Sequence, residues 1–230
     1  MYHPANPVSI DQALPEGRPR NLRPDRRELD HRMANSLQLA ADLLLFEQAR
    51  IQDADAREAL SAAAARLAVI AQLHRCLCAH DHAAGIDLRL FLAEICGLIA
   101  LSTGLSCSLD ADSVVLSAET AQQLGIAINE LAMNAAKHAY RGRTRGALHV
   151  EARRKGERLR LTVSDQGAGL GADFQLDQAH GLGMDILQAV VRQVRGTLEA
   201  KNDHGARFTI TLPLPSAVVA PMSRSFAPPG

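Results

Sequence analysis

Aromatic side chains make up only 3% of this 230-residue chain, and tryptophan is absent. That scarcity argues against stacking platforms for single-stranded nucleic acid and against the aromatic belts of membrane segments. A surplus of charge is missing too. With 25 Lys and Arg against 25 Asp and Glu, no long-range field draws the chain to DNA, RNA or an anionic membrane. No apolar run approaches the roughly 18 residues that a membrane helix needs. The N-terminal MYHPANPVSIDQALPEG lacks the basic-then-apolar order of a secretory signal. Four cysteines, Cys76, Cys78, Cys96 and Cys107, do not make a disulfide framework and fit a reducing compartment. Together these absences lead to the expectation of a cytoplasmic protein that engages neither nucleic acid nor membrane. At 47% hydrophobic residues, the chain has enough apolar material for one large or two small cores.

Residues 1–24 and 216–230 are rich in Pro, Ala and Ser without hydrophobic periodicity and read as disordered tails. The basic cluster Arg18, Arg20, Arg23, Arg26 and Arg27 is best read as the solvated start of a helix rather than a docking arm. From Arg26 the spacing becomes helical. Leu29, Met33, Leu37, Ala40 and Leu44 form one stripe, and Leu60, Ala63 with Ala64, Leu67, Ile70 with Ala71, and Leu73 form a second after IQDAD. Two such helices in an antiparallel hairpin bury one stripe poorly, so residues 25–84 are expected to pair with a second copy as a dimeric four-helix bundle. From 85 to 215 the texture is α/β. Helices are expected from about Asp87, over about Glu119–Ala139 and over about Leu182–Gln193, with a hairpin of strands around Leu148–Ala152 and Leu159–Val163. The fold class is therefore α+β, a helical hairpin followed by a sheet covered by helices on one side.

Two constellations carry chemistry. On an ideal helix the apolar stripe of the first helix centres at about 40° from Leu29 while His31 falls at about 200°. The histidine thus shares a polar face with Glu28, Asn35, Gln38 and Asp42. A surface histidine without a role is the plain alternative. The second constellation comes in pieces. In INELAMNAAKHAY, Glu130, Asn134, Lys137 and His138 share one helical face and offer oxygens to a metal and nitrogens to phosphate. In VSDQGAGL, Asp165 ends a strand before Gly167 and Gly169, a carboxylate able to accept an adenine amine beside backbone that can approach a ligand closely. In HGLGMDIL, Gly181 and Gly183 open a helix whose free N–H groups suit phosphate.

The string ELDHRMANSLQLAADLLL resembles the phosphoacceptor box of sensor histidine kinases of the HWE-related class, and RLAVIAQLHRCL matches the end of that class's second helix. NELAMNAAKHA, DQGAG, GLG and GARFTITLPL are similar to the asparagine box, glycine boxes and closing segment of the GHKL ATPases, the catalytic domain of histidine kinases. The resemblance covers roughly residues 26–214. It implies a Bergerat-fold ATP-binding domain over 85–215 and ATP and Mg2+ as cofactors. Asn134 is then the magnesium ligand with Glu130 beside it, Lys137 and His138 lie near the phosphates, and Asp165 reads adenine. It further implies autophosphorylation of His31 and transfer to an aspartate on the receiver domain of a response regulator. Arg32 stands where many kinases have an acid, which leaves Glu28, Asp30 and Glu130 as candidate bases with Glu130 preferred by the resemblance, and Asn35 is expected to orient water for dephosphorylation of the regulator.

The chain departs from the family pattern at Gln166, where Asn is usual, and at Ala206, where a threonine hydroxyl often helps bind adenine; the segment from Gly169 to Gly181 predicts a short lid. Two other readings compete: a non-catalytic histidine phosphotransferase with a decayed ATP domain, and a stand-alone GHKL ATPase or serine kinase that leaves His31 unexplained. The run LHRCLCAHDH places His74, Cys78 and His82 at metal-compatible spacing, with a structural role the stronger expectation. Two domains and two tails use the whole length, so sensory input is expected through a partner, a ligand on these two domains or a separate chain.

Overall fold

Asp53 opens the second of two long helices by accepting the N–H of Ala56 (2.7 Å) on its side chain. In the computed structural model, which describes residues 26–78, 85–140 and 146–214, this helix, α2 (Ala54–Cys78), folds back on α1 (Arg26–Gln48). The expected tails and the first residues of the arginine cluster lie outside the described residues.

The hairpin closes through small residues. Ala34 and Ala41 on α1, seven residues apart, and Ala64 and Ala71 on α2 are buried, so the two backbones can approach closely. This shifts the expected seam. Leu37, Ala40 and Leu44 are half-buried, whereas Met33 is 49% exposed and Leu39, Leu43, Leu45 and Phe46 are exposed as well. Helical periodicity locates apolar positions but cannot say which of two apolar faces the partner helix takes when one is lined by alanine.

The remainder is a mixed five-stranded sheet with helices on one face. Strands β2 (Ser106–Ala111), β4 (Ala147–Lys155), β5 (Arg158–Asp165), β6 (Thr197–Asn202) and β7 (Ala206–Pro213) lie in the order β2-β4-β5-β7-β6. Only β2 and β4 run parallel. A two-stranded ribbon of β1 (Ile86–Asp87) and β3 (Val115–Leu116) sits beside helix α3 (Leu88–Thr103). Alternation does the sorting. Leu148, Val150 and Ala152 on β4, and Leu159, Leu161 and Val163 on β5, point into the core with Phe208, Ile210 and Leu212 of β7. The expected β4–β5 hairpin is therefore present, and Thr162 and Thr209 pair on the sheet's other face.

Three helices cover the core face: α3, α4 (Ala118–Asn134) and α5 (Leu182–Gln193). Asp87 caps α3, accepting from Leu90 N–H at 3.1 Å. On α3, Phe91 and Ile95 are buried while Leu98 is only half-buried, the stripe leaning toward Leu92 and Ile99. Ser117 caps α4. The hairpin reaches this same core through Leu73, fully buried against the cluster of α3 and α4, with Val69 and Cys76 packed at its edge.

Candidate functional site

The last turn of α4 does not stay α-helical. Ala135–Ala139 form a π-helical turn, a wider winding frequent at functional sites. Glu130 and Asn134 precede this turn, within the α-helical part of α4. Asn134, Lys137 and His138 line a cavity of about 590 Å³, and Glu130 does not.

Glu130 is 1% exposed, and both of its carboxylate oxygens accept from Arg66 Nε at 2.9 Å. Arg66 comes from α2, so this buried ion pair joins the hairpin to the helix that carries the asparagine motif. The metal and base roles expected for Glu130 are not what this arrangement provides: its lone pairs are directed at a guanidinium. A second ion pair, Lys137 Nζ to Glu58 Oε1 at 2.7 Å, is largely exposed and stabilises by about 1 kcal/mol or less.

A second group of contacts surrounds Asp165, 7% exposed at the end of β5. Its Oδ1 accepts the N–H of Gly167 (2.9 Å) and of Ala206 (3.2 Å), which fixes the carboxylate and leaves Oδ2 for a ligand. Two glycines are needed for packing. A Cβ on Gly205, at φ +145°, would lie 2.1 Å from the Asp165 carbonyl oxygen, and one on Gly167 would lie 2.5 Å from the Ala139 carbonyl oxygen. Gly167 thus supports the site from behind and does not line the cavity. At Ala206 the main-chain N–H makes the contact, so the missing threonine hydroxyl does not loosen Asp165. Gln166 likewise contributes its backbone N–H, which donates to the Tyr140 hydroxyl (2.8 Å), itself bonded to the Ala147 carbonyl (2.7 Å).

Gly169, Gly181 and Gly183 line the same cavity as Asp165 and Asn134. Asn202 holds the turn at Gly169 by accepting from Leu170 N–H (2.7 Å) and donating to its carbonyl (3.0 Å). The following segment is short and folded down, with Phe174 edge-on to Phe208 at 6.4 Å between ring centroids. Gly181 starts α5 without a side-chain cap, leaving first-turn N–H groups for an anion. A Cβ on Gly183 would meet Glu130 Oε2 at 2.7 Å, Arg66 Nη2 at 3.3 Å and Asn134 Oδ1 at 3.5 Å, so these four residues converge. The cavity suits ATP. Leu131, Leu148, Val163 and Met184 offer apolar walls, Asp165 an acceptor for the adenine amine, and Asn134 an amide oxygen of the kind magnesium accepts.

His31 lies on α1 and its side chain falls outside the described residues; Asn35 is exposed on the same helix. Neither lines the cavity. Of the expected metal trio, His74 is within 2.9 Å of Gln122 Nε2 on α4, while the Cys78 side chain and His82 are outside the described residues. Burial and the neighbouring Glu94 push the Cys76 thiol up to about 11, which disfavours the thiolate a metal needs. Among the described residues no cluster of His, Cys, Asp and Glu could hold a metal. No helix among them is long and apolar enough to cross a membrane.

Arg66, Tyr140 and Asn202 were not found from sequence. The signal for Arg66 was present: a lone charge inside SAAAARLAVIA.

A hairpin of long helices, a helix-backed mixed sheet and a cavity combining an asparagine helix with two glycine turns define the histidine kinase architecture. A family model described as "Histidine kinase" matches residues 28–103. A second, "Histidine kinase-, DNA gyrase B-, and HSP90-like ATPase", matches residues 119–216. By these two matches the chain belongs to the histidine kinases. It is 31% identical over 72% of its length to the sensor histidine kinase PdtaS of Mycolicibacterium smegmatis, covering 34% of that protein. It is 24% identical over 90% of its length to blue-light-activated histidine kinase 2 of Erythrobacter litoralis, covering 62% of it. The chain thus spans about a third to three-fifths of these relatives. The histidine kinase domain of the Erythrobacter litoralis EL346 kinase has the same fold, with a TM-score of 0.61 at 24% identity over 81% of this chain and 95% of that one.

Proposed function

We propose that this chain is the catalytic portion of a two-component histidine kinase, which binds ATP in the cavity and phosphorylates His31. The observation that carries the reading is the convergence of Asn134, Gly183, Lys137 and Asp165 on one cavity whose wall includes Ala59, Ala62 and Arg66 of the hairpin. Residues 25–84 are the dimerization and phosphoacceptor unit and residues 85–215 the ATP-binding unit; the burial of Phe91, Ile95 and Ile99 of α3 with the sheet supports that division.

In the transfer, an imidazole nitrogen of His31 attacks the γ-phosphorus. The N–P bond forms as the bond to the β–γ bridging oxygen breaks, and ADP leaves with that electron pair. The proton on the other ring nitrogen passes to water. Most of the catalysis is positioning and charge neutralisation. Asp165 orients the adenine, while Lys137, His138 and the N–H groups at Gly181 and Gly183 hold the phosphates. Magnesium, held by the Asn134 amide oxygen, would supply further neutralisation of phosphate charge. The labile phosphohistidine then donates to an aspartate of a receiver domain, and Asn35, exposed one turn from His31, orients water for the reverse dephosphorylation. The exposed Leu39, Leu43 and Phe46 of α1 support pairing of two hairpins as a bundle.

Incubation with γ-labelled ATP is expected to give acid-labile, base-stable label that His31→Ala and Asn134→Ala both abolish. Nucleotide binding without any label would instead favour a phosphotransferase with a decayed ATP domain.

A further inference from the structure

Arg66 is more than a structural partner for Glu130. Its side chain is 16% exposed, yet its hydrogen bonds among the described residues are those of Nε alone. The two terminal nitrogens, with four N–H donors between them, have no acceptor among the described residues. A half-buried guanidinium whose fork faces a cavity gains from an anionic acceptor placed there. These nitrogens sit on the cavity wall, with Nη2 against Gly183 at the start of α5 and Asn134 alongside. A carboxylate that grips Nε and leaves the planar fork facing a cavity orients that fork toward an oxyanion.

The geometry points to Arg66 as a ligand of the terminal phosphate of ATP, contributed by the phosphoacceptor hairpin and oriented by Glu130. This rests on the cavity being the nucleotide site. Glu130 is then a positioning residue. The consequence is a site that distinguishes ATP from ADP by a residue of another structural unit: the hairpin contributes a contact to the γ-phosphate that ADP cannot make.

Removing Arg66 alone would strand the Glu130 carboxylate in the interior, so the test compares Glu130→Gln with the double variant Glu130→Gln/Arg66→Met. Gln can still accept from Nε in the first, and no buried charge is left in the second. Binding of Mg-ATP and Mg-ADP to each is measured by calorimetric titration. The double variant is expected to lose about tenfold or more in ATP affinity relative to Glu130→Gln, as for a charge-assisted contact, with ADP affinity changed less than about twofold. Retained ADP binding reports that the site is folded. Arg57→Met, which removes an exposed cation one helix face away, controls for long-range charge and is expected to leave the ATP-to-ADP ratio unchanged. Equal loss for both nucleotides, or no loss, overturns the inference. Intact discrimination by Arg66 with no label on His31 would refute the phosphotransfer reading alone, and failure of the wild type to bind either nucleotide would refute both.

Discussion

Leu73 is the point at which the hairpin enters the core of the rest of the protein, and the Leu73–Gly125 contact gives that statement a measurable energy. Leu73→Ala removes a fully buried side chain and should cost about 2–5 kcal/mol from lost burial and the cavity left behind. Gly125 faces it on α4. A methyl group there would lie 2.8 Å and 3.3 Å from the two Leu73 methyls and 3.1 Å from Phe91 Cζ. Gly125→Ala therefore gains about 1 kcal/mol in helix propensity and loses about 1–3 kcal/mol to overpacking. In the Leu73→Ala background two of the three close contacts vanish and the new methyl fills part of the void. The double variant should then be more stable than the sum of the singles by about 1–3 kcal/mol. Urea denaturation followed by far-UV circular dichroism, with extrapolated stabilities and slopes compared across the four proteins, measures this coupling. Additivity within about 0.5 kcal/mol would refute the idea that these helices interlock through this pair. A cost below about 1 kcal/mol for Leu73→Ala would refute its burial in a shared core.

Two further outcomes are expected. Asp165→Asn keeps an acceptor for Gly167 and Ala206 but offers N–H where the second oxygen would accept the adenine amine; ATP affinity should fall about 10- to 100-fold with little change in thermal midpoint, and unchanged affinity would refute adenine recognition by this group. Asp87 accepts from Ser113 Oγ (2.7 Å) and Leu90 N–H, bonds that hold its carboxyl below the usual carboxylate range. A depressed folded-state pKa contributes stability that is fully present above the unfolded value and lost as pH falls through the folded one. Asp87→Ala should therefore cost about 1 kcal/mol near neutrality, and its deficit against the wild type should shrink on acidification; a constant or growing deficit would refute the sign.

Much of the fold was legible because its signals are local. Periodicity of 3.6 and of 2 marked α1, α2, α4, α5, β4 and β5, and capping by Asp87 and Ser117 starts helices where the apolar patterns begin. Strand β2 escaped notice because its half-buried Cys107 and Leu109 alternate with Ser and Asp over only six residues. The seam of the hairpin was misplaced because Ala34 and Ala41 carry little hydrophobic signal, although their small size is what lets the helices approach.

The sequence by itself determined the order of the motifs, the hairpin and several residues that line the cavity: Asn134, Asp165, Gly169, Gly181 and Gly183. Only the tertiary structure decided what Glu130 does. Its partner, Arg66, is 64 positions away, and no local periodicity relates them. The docking of α2 brings a guanidinium against Gly183. Side-chain direction within an element follows from backbone geometry over a few residues. Contacts between elements depend on every turn and packed side chain between them, so the same buried carboxylate can be a metal ligand, a base or the anchor of an arginine until the fold brings its neighbour into place.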